Sequence, residues 1–141
     1  MGKVSLEIII VVMAKKQFLG IRFPFRNDDQ ENFFLDLSKT DKDKTRSDIC
    51  HVIFTQKGTR YKMWDYGTDL IKFIFEQSDD ESWEGIKDEI KGAVARWVPS
   101  CVLNDIRVVQ DEQNNGAVYV RIDYSVKKGY ISTDDSFMVT L

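Results

Sequence analysis

One histidine and two cysteines are all that this 141-residue chain offers to metal or nucleophilic chemistry. His51 has no second histidine or cysteine at helical ligand spacing, which argues against a zinc site. Cys50 precedes it directly, but neighbouring helical side chains point about 100° apart, and no nucleophile-elbow pattern supports a catalytic pair. Cys50 and Cys101 therefore read as buried free thiols of a reducing compartment. A dominant charge sign is missing too: 20 basic against 23 acidic residues leave a net charge of −3. The basic residues, among them Lys15-Lys16, Lys39, Lys42, Lys44, Arg46 and Lys127-Lys128, have acids nearby, so the sequence offers no phosphate track for nucleic acid. A glycine-rich phosphate loop is also lacking, and no cofactor is implied. With two prolines, no internal repeat and no Pro/Gly-rich linker, residues 1–141 are expected to form a single domain.

The long hydrophobic run that would mark a membrane span is absent as well. The apolar stretch Leu6–Ala14 contains Glu7 and falls far short of the roughly 20 residues a bilayer requires. Lys15-Lys16 follow where a signal peptide would be cleaved, so no membrane partner is expected. Ile8 to Val12 are β-branched and favour an extended strand. Residues 1–13 read as an N-terminal extension, with Met13 as an alternative start.

What remains is an ordinary globular composition, 43% hydrophobic and 30% charged. Ile21 to Phe25 reads as extended, Asn27-Asp28-Asp29 as a turn, and Phe33 to Leu37 as a short strand. A helix is predicted from Thr40 through Gln56, with Ile49, Val52 and Ile53 facing inward and Gly58 closing it in the left-handed conformation. Tyr66-Gly67 makes a turn, Thr68 is placed to accept from the first amides of a second helix, and Asp69 suits its positive end. Leu70, Phe73 and Ile74 lie on one face of that helix. Ser78 to Glu81 forms a capping box for a third helix, whose stripe of Trp83, Ile86, Ile90, Val94 and Trp97 runs until Pro99 stops it. Strands follow at Val102–Val109, Ala117–Val126 and Ser136–Leu141, with Asn114-Asn115-Gly116 as a hairpin signal and Lys127 to Gly129 as the next turn. Helices segregated from strands give an α+β class: about three helices packed on a mainly antiparallel sheet with a C-terminal β-hairpin region.

The order of short motifs resembles the sheath-initiator (baseplate wedge) family of contractile injection machines, including phage tails and type VI-like secretion systems. The resemblance covers residues 18–141. It rests on the Ile21-Arg-Phe-Pro-Phe25 entry segment, the helix ending in Gly58-Thr-Arg60, the Asp65-Tyr66-Gly67 turn, Phe75-Glu76, and Ala95 to Ser100 followed by Leu103 to Val108. Two positions depart from the family pattern. Trp64 stands where a proline usually precedes the acidic-aromatic-glycine turn, and Val98-Pro99-Ser100 replaces a glutamate–proline–arginine loop.

The resemblance implies a structural role rather than catalysis, with no metal, cofactor or catalytic residue. Such a protein sits in the virion tail baseplate, assembled in the host bacterial cytoplasm. It is arranged sixfold around the tail tube, among baseplate wedge proteins, and templates the tail sheath protein by strand exchange with the first sheath ring. The expected sheath interface is Val118, Val120, Ser136, Phe137, Met138, Val139, Thr140 and Leu141. The expected docking residues are Arg60, Asp65, Tyr66, Gly67, Val98, Pro99 and Ser100, with Arg60 supplying the charge that the altered loop lost. The alternative is a peptidoglycan-degrading, lysozyme-like baseplate enzyme using paired carboxylates, for which Asp65 and Glu76 are the candidates.

Overall fold

The computed structural model describes residues 19–26, 35–75, 80–111, 117–128 and 130–141. Two short strands, β1 (Gly20–Ile21) and β2 (Leu37–Ser38), form an antiparallel pair and lead into helix α1 (Asp41–Phe54). A 3-10 helix (Leu70–Phe75) and helix α2 (Asp80–Trp97) follow. Strands β3 (Cys101–Asp111), β4 (Ala117–Lys128) and β5 (Ile131–Thr140) then form one antiparallel sheet in the order β3-β4-β5. The α+β class and the single C-terminal sheet are as expected from the sequence.

Helix α1 begins where its chemistry allows. The Thr40 hydroxyl accepts from the Asp43 amide at 3.2 Å, and Asp41 and Asp43 place negative charge at the helix's positive end. Ile49, Val52 and Ile53 are buried as the spacing predicts, and Cys50 joins them. In α2, Ile86, Ile90 and Val94 recur every four residues and are almost fully enclosed, with Trp83 and Trp97 packed against the same cluster. Val120, Ile122, Tyr124 and Val126 of β4, with Phe137 and Val139 of β5, complete the core from the sheet side. The opposite face of the sheet is wet: Arg107 bonds to Asp105 at 2.7 Å and Arg121 to Asp123 at 3.1 Å. Both cysteines are buried free thiols, as read from the sequence, and burial pushes each up to about 11.

Several expectations are corrected. There are two α-helices among the described residues, not three, because Leu70–Phe75 winds as a 3-10 helix. Six residues following a tight turn are too few to pass the costly α-helical nucleus, and 3-10 geometry serves short connectors. Helix α1 ends at Phe54, with Thr55 extended, so Gly58 does not cap it. Gly58 still adopts a positive φ of 85°, in a turn where its amide donates to the Trp64 carbonyl at 2.7 Å. Thr68 does not cap the next helix; its hydroxyl donates to the Ile53 carbonyl at 2.8 Å. Strand β5 starts at Ile131, five residues before the predicted Ser136, because its full length pairs with β4. Of the short strand expected over 33–37, Phe33 and Phe34 lie outside the described residues, and from position 35 onward the strand begins at Leu37. Residues 1–18, Asn27-Asp28-Asp29, Ser78-Asp79, Asn114-Asn115-Gly116 and Gly129 lie outside the described residues.

Candidate assembly interfaces

The first candidate is the outer edge of β5, which no other described strand pairs. The Leu141 amide donates to the Val118 carbonyl at 2.9 Å, and Tyr119 faces Thr140 in the register. Hydrogen-bonded pairs alternate along an antiparallel ladder, so odd-numbered residues of β5 bond to β4. The backbone groups of Ser136, Met138 and Thr140 therefore turn away from β4 toward the sheet's margin. Of the predicted sheath-interface residues, Ser136, Met138, Thr140 and Leu141 are exposed, with Met138 at 61%. Phe137, Val139 and Val120 face inward and are buried, and Val118 is half-buried against the same core. The prediction thus divides by parity: even positions on β5 present an edge, and odd ones anchor it.

The second candidate is the loop from Gln56 to Asp69 with the end of α2. Two backbone bonds pinch the loop shut: Lys57 donates to the Thr68 carbonyl at 3.1 Å and Thr68 to the Thr55 carbonyl at 2.8 Å. Gly67 makes this possible. Its φ is 105°, and a Cβ built there would lie 2.0 Å from the Thr55 carbonyl oxygen, so glycine alone fits. Glu89 of α2 holds the loop from below, accepting from Lys57 Nζ at 2.5 Å and from the Asp69 amide at 2.9 Å. The sequence reading missed Glu89, because the contact joins positions 32 residues apart.

On this frame the Arg60 guanidinium lies 4.3 Å from the Tyr66 ring centroid, and Tyr66 packs edge-on against Trp97 at 5.1 Å. Asp65 pairs with Arg96, whose guanidinium in turn lies over Trp97. Arg60, Asp65 and Tyr66 are thereby brought to Arg96 and Trp97 at the end of α2, which the Val98-Pro99-Ser100 loop follows in the chain. Within that loop only Pro99 and Ser100 are exposed; Val98 is 3% exposed and belongs to the core. Tyr61 at 79% and Trp64 at 65% exposure stand out from the same surface. Tyr61 was not singled out from the sequence, although bulky aromatics between two turn glycines were a signal for it. Aromatic and arginine side chains in this setting are what protein–protein hot spots are made of.

Of the two carboxylates named for the enzyme alternative, one is described. Asp65 is an open, ion-paired carboxylate with a 55% exposed side chain. Glu76 lies outside the described residues. Among the described residues no group of histidine, cysteine and carboxylate side chains could hold a metal ion, and no helix is long and apolar enough to cross a membrane.

Three solved structures share the fold. A Geobacter sulfurreducens protein described as a candidate tail lysozyme aligns with a TM-score of 0.63 at 19% identity, over 75% of this chain and 96% of that one. A chain of the anti-feeding prophage baseplate aligns at 0.58 and 19% identity, over 84% and 81% of the two chains. A chain of the post-contraction pyocin R2 baseplate aligns at 0.51 and 16% identity, over 83% and 96%. No curated protein matches in sequence. Residues 39–129, from the residue before the Thr40 cap through most of the terminal sheet, match the family described as baseplate wedge protein gp25. By fold and by this match over more than half its length, the chain belongs to the baseplate wedge protein gp25 family of contractile tails.

Proposed function

We propose that this wedge protein templates the tail sheath. Docked in the baseplate through the loop around Arg60, Tyr66, Trp64 and Pro99, it offers the margin of β5 to an extended segment of the first sheath ring, sixfold around the tube. The observation that carries this reading is the outward-facing backbone of Met138 and Thr140, on a strand that among the described residues pairs with β4 alone. Unpaired amides and carbonyls at a sheet margin are a template for β-strand addition, and alternating side chains set its register. The role is mechanical rather than catalytic: Asp65, a candidate acid, is engaged with Arg96 on open surface, not enclosed in a cleft.

Deleting Ser136–Leu141 would also strip Phe137 and Val139 from the core, so a single substitution isolates the edge better. Met138→Pro removes one outward amide without touching a bond to β4, and proline is tolerated at such edge positions. Particles carrying it are expected to assemble baseplates that contain the protein but bear no sheath by electron microscopy. Sheaths of normal number and length on those baseplates would overturn the proposal.

A further inference from the structure

The margin of β5 is not uniformly open. Its outward-facing groups belong to the even-numbered residues, and two of them, one on either side of Asp135, are already engaged. The Ser136 amide donates to Oδ1 of Asp135 at 2.9 Å. The Asp134 carbonyl accepts from Lys42 Nζ, at the start of α1, at 3.4 Å. Asp135 is itself held in place, because its Oδ2 accepts from the hydroxyl of buried Tyr124 at 3.0 Å. Burial, with the Asp135 carboxylate beside it, raises the Tyr124 pKa, so the hydroxyl keeps the proton it donates. The Asp134 side chain is tied as well, its Oδ1 accepting from Ser125 at 2.7 Å. Beyond Ser136 the pattern changes: Met138 and Thr140 are exposed, with backbone groups turned outward.

We propose that Asp135 and Lys42 form a register stop, confining an added strand to the Ser136–Leu141 part of the edge. This rests on the strand-addition reading of β5. A strand arriving at Met138 and Thr140 finds donors and acceptors that no described strand engages, whereas one sliding toward Ile131 meets an amide and a carbonyl already satisfied by charged groups. A slip by one residue would reverse every side chain of the incoming segment between the two faces. The stop therefore selects one alignment. The partner it fits is an extended segment with apolar residues at alternate positions. One set lies beside Phe137 and Val139 on the covered face, and the other beside Ser136, Met138 and Thr140 on the wet face. Asp135 and Lys42 are positioning residues, acting on where the partner ends.

Two measurements test this. In the free protein, amide hydrogen exchange should be about tenfold slower at Ser136 than at Met138 or Thr140, the effect of one hydrogen bond to a charged group. In Asp135→Ala that difference should vanish, and in Tyr124→Phe, which releases the Asp135 carboxylate, it should shrink; equal rates in the wild type would overturn the stop. In sheathed particles, the added strand should bond to Met138 and Thr140 and leave the Ser136 amide to Asp135. Lys42→Met, which removes only the ammonium and keeps the Lys42 carbonyl facing the Tyr124 hydroxyl, so that it serves if Asp135→Ala fails to fold, and the Asp135→Ala variant should each let the strand advance by up to two residues, about 7 Å. A wild-type strand bonded to the Ser136 amide, or one that ends at the same place in both variants, overturns the stop alone. Absence of any strand on β5 overturns the strand-addition reading together with it.

Discussion

Gly67 shows how a single residue decides whether the 56–69 loop can close. The motif Asp65-Tyr66-Gly67 was legible as a turn, and the glycine's positive φ agrees with that reading. The more severe constraint was not legible: the loop doubles back so tightly that the Thr55 carbonyl fills the space a side chain would need. Gly67→Ala would combine left-handed strain with a backbone clash and would have to break the Thr68–Thr55 bond. A loss of at least about 3 kcal/mol is expected, measured by urea unfolding against wild type. Gly58→Ala meets nothing within 4 Å and should cost less, which separates strain from clash. Arg60 makes a related point. The sequence suggested a charge for docking, and its guanidinium lies against Tyr66 and so is held in a pre-organised place.

Among the elements, α2 carries the clearest lesson. Its apolar stripe and its end before Pro99 follow from spacing and from proline's missing amide, and both are observed. Glu89, on the same helix, has no periodic signature, because its work is done for a loop 20 residues or more away in sequence. It joins Lys57 and the Asp69 amide in one charge-assisted knot at the mouth of the loop. With both side chains partly exposed, screening limits its worth, and Glu89→Ala should cost about 1–2 kcal/mol. A double-mutant cycle with Lys57→Met should return a coupling above about 0.5 kcal/mol; simple additivity would show that the two side chains do not act together.

The whole molecule has a pH window set by its two buried thiols. Cys50 and Cys101 sit in the apolar interface between helices and sheet, and desolvation lifts each from an ordinary 9.0 to about 11. Between those values the unfolded chain releases protons that the folded chain retains, so stability falls as pH rises from about 9 toward 11. Below pH 9 both states keep the proton and the thiols contribute no slope. Urea midpoints compared at pH 8 and pH 10.5 should therefore drop more for the wild type than for a Cys50→Ala, Cys101→Ala double variant. An equal drop in the two proteins would mean that the thiols are more accessible than their burial indicates.

Sequence alone determined the class of this protein, because class follows from local rules. Helix periodicity, the Thr40 cap, the clean alternation of Val118 to Val126 and the segregation of helices from strands each act within a few residues. Together with the order of the short motifs they also pointed to the family. The tertiary structure decided what the individual residues do. Parity along β5 separates Met138 and Thr140, which face the margin, from Phe137 and Val139, which face the core, and pairing with β4 fixes that parity. The same pairing drew β5 back to Ile131, and the tight frame of the loop turned a predicted α-helix into a 3-10 turn at Leu70–Phe75. Val98 reads as a loop residue in sequence, yet it is enclosed, while Tyr61, unmarked in sequence, is thrust into solvent. Such outcomes depend on contacts between segments far apart in the chain. No pattern within one segment encodes which distant backbone groups will be free once the others have paired.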